Sequence, residues 1–234
     1  MSDDKPRPAE SAAWRAGRAV AKRLVPERLL EQRRAARKGA LFTDAGVAFI
    51  HVPRAGGTSV TNALYGGHIG HFPLRDLLSE SSDEVLALPR FTVVRNPWER
   101  AVSAWQFARA GSGKGGQEAA IANPGLYREE RFANFARFVE EFLLPGEVDR
   151  LDPVFRRQSW YVGTEPSAAF DHVGRLEDLE DTRVWLSDTL VREIAIGRHN
   201  RSDTTDWRAH YDARLARIIG DIYAADAESF GYAF

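Results

Sequence analysis

Two short runs of this sequence carry residue types suited to holding phosphate. The first is Pro53-Arg54-Ala55-Gly56-Gly57-Thr58-Ser59, directly after the mostly apolar stretch 47–52. An apolar run of that length ending in Pro and Gly-Gly predicts a buried strand entering a turn, and 58–65 reads as a helix stopped by Gly66-Gly67. Gly56 and Gly57 let the backbone approach a ligand closely, and the unbonded N–H groups of the first helical turn point towards it with the positive end of the helix dipole. Arg54 adds a full charge, and Thr58 and Ser59 add hydroxyl donors. The second run is Thr92-Val93-Val94-Arg95-Asn96-Pro97, continuing to Ser103 and Trp105. It predicts a β-branched buried strand at 91–94, then a helix to about residue 109 with Asn96 as its cap and Pro97 in its first turn. Arg95 then stands at the carboxyl end of a strand, where open α/β sheets place ligands. Ser103 lies two helical turns further on, about 11 Å along the axis. Arg and Ser so placed can clamp one phosphate, Arg with paired planar donors. Taken singly, the first run also fits a plain strand–turn–helix corner, and Arg95 fits a strand-end salt bridge. Arg100 is either a further neighbour of the phosphate or one half of a surface ion pair with an acid such as Glu99.

These runs need elements to hold them. Short strands are also expected at Trp160-Tyr161-Val162 and 172–175, and helices at 177–191 and 207–230. Phe132, Phe135, Phe138, Val139 and Phe142 fall on one face of a helix spanning 129–144. Strands alternating with helices predict an α/β domain over 41–234, with a central, mostly parallel sheet and helices on both faces. Residues 1–10 read as a disordered tail, 11–40 as a basic helical arm broken near Pro26, and 111–116 as a flexible loop. The arm is either a surface helix with its arginines in water or a basic segment making peripheral contact with an anionic membrane. Hydrophobic residues make up 44% of the chain and charged residues 28%, which predicts a packed globular core. A net charge of −1 argues against a non-specific nucleic-acid binder. Cysteine is absent, so disulfides and cysteine-based zinc sites are excluded. With no long apolar run and no secretory layout at the N-terminus, a cytoplasmic location is expected.

The loop after the first strand resembles the phosphate loop of P-loop nucleotide-binding proteins, although the G-x-x-x-x-G-K-[ST] spacing is missing. The two runs together are similar to the carbohydrate sulfotransferases of sulfotransferase family 2, which include heparan sulfate 2-O-sulfotransferases. The resemblance rests on Pro53, Gly56, Gly57, Thr58 and Ser59 and on Arg95, Asn96, Pro97, Arg100 and Ser103. Gly174-Arg175-Leu176-Glu177 and the ending Asp226-Ala227-Glu228-Ser229-Phe230-Gly231-Tyr232 also fit. It implies a P-loop-like three-layer fold and transfer of a sulfuryl group from 3′-phosphoadenosine 5′-phosphosulfate (PAPS, leaving PAP) to a hydroxyl of a carbohydrate or similar acceptor, with no metal expected. It further implies that Arg54, Ala55, Gly56, Gly57, Thr58 and Ser59 hold the 5′-phosphosulfate, and that Arg95 and Ser103 hold the 3′-phosphate. Arg201 and Ser202, in a loop that covers the nucleotide in relatives, are expected phosphate contacts. His71, with His68 as the reserve, takes the position of the acceptor-side general base. The family usually has Lys where this chain has Arg54, which can stabilise a leaving phosphate but cannot readily donate a proton. Two other classes stay open on the sequence: a non-catalytic relative that binds PAP or PAPS, and a P-loop-like phosphotransferase. For the acceptor, Arg75, Arg128, Arg156, Arg157, Trp160 and Tyr161 are candidates to hold an anionic sugar.

Overall fold

The structure is a computed structural model that describes residues 38–111, 121, 125–197 and 206–234. The basic arm up to residue 37, most of the 111–116 loop, and Arg201 and Ser202 lie outside the described residues.

Residues 38–45 are helical and lead into strand β1 (Ala48–Ile50), every residue of which is buried. The loop 51–56 delivers the chain to helix α1 (Gly57–Tyr65), which ends at Gly66 in the left-handed region. Helix α2 (Leu74–Glu80) and the single turn Asp83–Leu86 follow, and then strand β2 (Arg90–Val94). Helix α3 (Pro97–Ala110) starts where the sequence predicts. Its Asn96 cap accepts hydrogen bonds from the backbone N–H groups of Trp98 and Glu99 at 3.0 and 3.4 Å, and Pro97 occupies the first turn, where a missing N–H costs nothing. Later elements that bear on the site are helix α4 (Gln158–Val162), strand β3 (His172–Arg175), and helices α5 (Leu179–Leu190), α6 (Ala213–Ile222) and α7 (Ala224–Phe230).

The three strands form a parallel sheet in the order β1-β2-β3, so the expected parallel α/β architecture is present in a small form. Phe49 lies opposite Phe91 and Val94 opposite Arg175, and parallel neighbours of this kind require the helical crossovers that the chain supplies. The carboxyl ends of β1 and β2 therefore emerge side by side. One apolar cluster packs around the sheet, from Phe42, Phe49 and Ile50 to Phe91, Val93, Tyr161 and Leu186. A second, rich in phenylalanine, packs Trp98, Val102 and Trp105 of α3 against Phe132, Phe135, Phe138, Phe142 and Phe155. Helix α3 is buried along most of its length because it lies between the loop after β1 and this second cluster. Each cluster removes large side chains from water, at roughly 1.5–3 kcal/mol per fully buried residue.

Three expected elements are corrected. Trp160-Tyr161-Val162 is the end of helix α4, not a strand. The run is aromatic and β-branched, but Asp226, distant in sequence, accepts from the backbone N–H groups of Gln158 and Ser159 at 2.7 and 2.8 Å and so starts a helix there. The single helix over 129–144 is broken: Asn134 caps a new start at Phe135–Phe138, and a π turn, Val139–Leu143, follows. That wider turn keeps Phe138, Val139, Phe142 and Leu143 all facing the aromatic cluster. The helix over 207–230 is likewise divided, into a 3-10 turn at Trp207–His210, then α6 and α7.

Helix α5 ends on Val191, at φ +50° and 90% exposed. A β-branched residue pays heavily for the left-handed region, and exposure gives nothing back. Val191→Gly is expected to raise unfolding stability by about 1 kcal/mol, read from urea denaturation. A variant less stable than the parent would contradict the strain.

Candidate functional site

The site is built where β1 and β2 end. After β1 the chain turns through Arg54, which is itself in the left-handed region at φ +65°, and Gly56 at φ +80°. Both loop glycines are required by close neighbours. A Cβ on Gly56 would come within 2.4 Å of Leu176 Cδ1, and one on Gly57 within 2.1 Å of His51 Nε2. His51 is thus a buried strap whose ring lies against the glycine backbone, the structural role its strand position suggests. Helix α1 begins at Gly57 with no side-chain cap and no acid in its first turn. The Ser59 N–H reaches back to the Gly56 carbonyl at 3.2 Å, and the positive end of the helix dipole faces the loop.

The second run meets this loop directly. Arg54 Nε and Nη2 donate to Ser103 Oγ at 3.1 and 2.9 Å, and the guanidinium lies 4.8 Å over the Phe107 ring. Arg95 Nη1 donates to the Arg54 carbonyl at 3.2 Å, while Nη2 pairs with Glu99 one helical turn on at 2.7 Å. Loop 54–59, Arg95 and Ser103 are thus gathered into one place.

Arg100 is neither a surface residue nor the partner of Glu99. It is 1% exposed, and it donates from Nε to the Pro53 carbonyl at 2.9 Å and from Nη2 to the carbonyls of Val154 and Arg156 at 3.3 and 2.7 Å. Three guanidinium groups therefore surround the loop. Burial first, then the charges of Arg95 and Arg100, lowers the Arg54 pKa to about 10. A site that disfavours its own cation is one that a bound anion stabilises.

His71 lies on the other side of the loop's stem. Its Nδ1 is 3.0 Å from the His51 carbonyl, which can only accept, so Nδ1 carries the proton and Nε2 the lone pair. The ring keeps an exposed edge, yet it is crowded: His51 and His68 lie 4.2 and 5.2 Å away between ring centroids. Loss of water around the ring, together with the charges of Arg100, Lys38 and His68, lowers its pKa to about 4 despite the hydrogen bond to His51. The His51 pKa is also lowered, by its burial and then by His71 and His68. Among the described residues, no group of His, Asp or Glu is arranged to hold a metal ion, and no helix is long and apolar enough to cross a membrane.

Of the acceptor-side candidates, the structure unites three. Arg75 and Arg156 lie over the Trp160 ring at 4.0 and 4.5 Å, and Arg75 Nη1 also donates to the Trp160 carbonyl at 3.1 Å. Arg157 is spent on Asp149 at 2.7 Å, and Tyr161 is buried, its hydroxyl donating to the Pro153 carbonyl at 2.9 Å.

Sequence reasoning passed over several residues that order this site. Gln158, fully buried, accepts from the Arg95 N–H at 2.9 Å and donates to the Arg95 carbonyl at 2.7 Å. Glu177 accepts from the Asn96 N–H at 2.7 Å and from the Tyr232 hydroxyl at 2.9 Å. Gln158 carries no local signal, whereas Glu177 and Tyr232 fall in stretches already marked by the resemblance.

Comparison with curated proteins and with solved structures finds no match. Among family models, residues 41–233 match that of the Sulfotransferase family, and specifically its family 2. That span holds the loop after β1, the Arg95–Ser103 run and the closing helices, so the chain belongs to sulfotransferase family 2 and is a sulfotransferase.

Proposed function

We propose that the protein moves a sulfuryl group from PAPS to a hydroxyl of a carbohydrate acceptor, at the site between the loop after β1 and helix α3. The observation that carries this reading is the Arg54–Ser103 contact, which joins two anion-binding elements at an uncapped helix start. One phosphate needs one such element. A nucleotide with phosphate at both the 5′ and 3′ positions uses two. We also read the strand–loop–helix unit at 48–65 as the phosphate-binding corner of a P-loop-like fold.

The residues fit such a donor. The start of α1, with Thr58 and Ser59, faces the 5′ side, where the positive end of the helix dipole suits a phosphate. Arg95 and Ser103 take the 3′-phosphate. Arg54 has its backbone in the 5′ loop and its guanidinium on Ser103, so it stands between the two halves and stabilises negative charge as it grows on the leaving phosphate. His71 Nε2 accepts the proton of the acceptor hydroxyl. The new S–O bond forms to that oxygen, and the old S–O bond breaks with its electrons left on the phosphate. Arg75, Trp160 and Arg156 form a wall that suits a sugar bearing negative charge. Arg75 lies in the helix that follows His71, and the Arg156 carbonyl is held by Arg100.

A base of low pKa is always unprotonated near neutrality but accepts a proton weakly. A bound bisphosphate opposes the Arg100 and Lys38 charges, so it raises the His71 pKa. By NMR titration the His71 ring is expected to have a midpoint near 4 in the free protein and a higher one with PAP. A free midpoint at the ordinary 6.5 would contradict the geometry. His71 and His51 both bind protons less readily when folded, so the unfolded chain takes up protons first as the pH falls below about 6.5. The melting temperature is therefore expected to fall between pH 6.5 and 4, and less steeply in His51→Phe.

The reaction itself is tested with PAP and with labelled PAPS. PAP is expected to raise the melting temperature, as a ligand of the native state must. Transfer of label to a panel of acidic and neutral glycans is expected to fall about 100-fold or more in His71→Ala with PAP binding retained, the usual scale for a lost general base. No stabilisation by saturating PAP would remove the donor assignment. Binding without transfer to any glycan would leave a PAP-binding protein in place of a carbohydrate sulfotransferase.

A further inference from the structure

Strand β2 runs out one residue before Arg95. Its last ladder partner is Val94 opposite Arg175, and the Leu176 N–H takes the Val94 carbonyl at 2.8 Å. The N–H and C=O of Arg95 therefore lie past the sheet, buried, with no strand beside them. Buried backbone groups must be paired. The Gln158 side chain pairs both, accepting from the Arg95 N–H and donating to its carbonyl. One amide thus does for Arg95 what a neighbouring strand does for the residues before it.

Gln158 is itself fixed. It is 0% exposed, and its own backbone N–H goes to Asp226 Oδ2 at 2.7 Å, with Ser159 N–H on Oδ1 at 2.8 Å. Asp226 is also 0% exposed, and burial raises its pKa, with Arg100 and the bonds from Ser159 and Gln158 acting the other way. The chain of contacts runs from the buried Asp226 in α7, through the first turn of α4, to both backbone groups of Arg95. The Arg95 guanidinium is steered separately, by Glu99 and by the Arg54 carbonyl.

We infer that Gln158, held by Asp226, is a positioning residue for Arg95 and sets how strongly the site recognises a phosphate on the 3′ position of the donor nucleotide. The inference rests on the reading of Arg95 as the 3′-phosphate ligand. Gln158 does not touch the nucleotide. It fixes the backbone from which Arg95 reaches, and a shift of about 1 Å there is enough to spoil a two-point guanidinium contact.

The test is the ratio of affinities for PAP and for 5′-AMP, which lacks the 3′-phosphate, measured by calorimetry on the full chain. Q158L removes both bonds and leaves two buried backbone groups unpaired. It is expected to lose about tenfold in PAP affinity while 5′-AMP affinity stays within twofold. Q158E keeps the acceptor for the Arg95 N–H but loses the donor for the carbonyl, and D226N removes one of the two oxygens that accept from the Gln158 and Ser159 N–H groups. Both are expected to shift the ratio the same way by less, and they carry the test if Q158L does not fold. A role in general stability alone would weaken both ligands together or lower the melting temperature with the ratio unchanged, and that result overturns the inference. R95A separates the two claims. If R95A keeps the parent's preference for PAP, the 3′-phosphate reading of Arg95 is wrong. If R95A loses it while the folded Gln158 and Asp226 variants keep it, Arg95 is the ligand and Gln158 does not position it.

Discussion

The Arg100 guanidinium is withdrawn almost wholly from water, and a group that can never shed its charge must find acceptors wherever it is buried. It finds three backbone carbonyls on two separate segments, at Pro53 on one side and at Val154 and Arg156 on the other. Its position on α3 is fixed by the Asn96 cap four residues before it, whose carbonyl accepts the Arg100 N–H at 2.8 Å. One cation thereby ties the loop after β1, the helix that carries Ser103 and the segment that leads into α4. Asp226, equally buried, accepts from the two N–H groups that start α4. Removing the Arg100 guanidinium would leave three carbonyls without this donor, and a buried polar group left unpaired costs about 1–3 kcal/mol.

The same constraint accounts for how little slack the loop has. Pro53 is held by Arg100, Gly56 has Leu176 against it, Gly57 has the His51 ring against it, and the Arg54 carbonyl is taken by Arg95. These contacts come from the loop's own stem, from the 95–100 run and from Leu176, so the loop's unusual backbone at Arg54 is over-determined by its surroundings. That is the condition under which a strained residue persists. The Arg54 guanidinium is held by the Ser103 hydroxyl and the Phe107 ring rather than by a carboxylate. A hydroxyl is a weak competitor for a guanidinium when a phosphate arrives, since a charge-assisted bond is roughly twice as strong as a neutral one.

Much of this was legible in the sequence, for local reasons. Gly-Gly after a strand, and Asn-Pro after a strand, are turn and cap chemistry that act within a few residues, and both were read correctly. The first two parallel strands followed from apolar runs bounded by breakers, and the third, at 172–175, was also expected. The failures share a different cause. Trp160-Tyr161-Val162 has strand composition, but Asp226, far along the chain, sets its conformation. For Arg100 the sequence left two readings open, a neighbour of the phosphate or a surface pair with Glu99, whereas Glu99 is taken by Arg95 and Arg100 turns inward to carbonyls that no pattern announces. Backbone acceptors are supplied by every residue type, so a side chain that bonds them leaves no signature at the other end.

That asymmetry bears on how such a site tolerates change. In the proposed reading, phosphate is met by two contiguous motifs, and a substitution there alters the group that meets the ligand. Of the residues that hold those motifs in place, Arg100 lies within the second, whereas Gln158, Glu177 and Asp226 are scattered along the chain, and all act through backbone atoms. Arg54 has Phe107 beneath its guanidinium and bonds one side-chain hydroxyl, that of Ser103. Arg100 bonds three backbone carbonyls, so a change there has less freedom. Lysine there would carry the charge but could not span Pro53, Val154 and Arg156 with a planar fork, so the loop would lose its register with α3 even though every phosphate-binding residue remained.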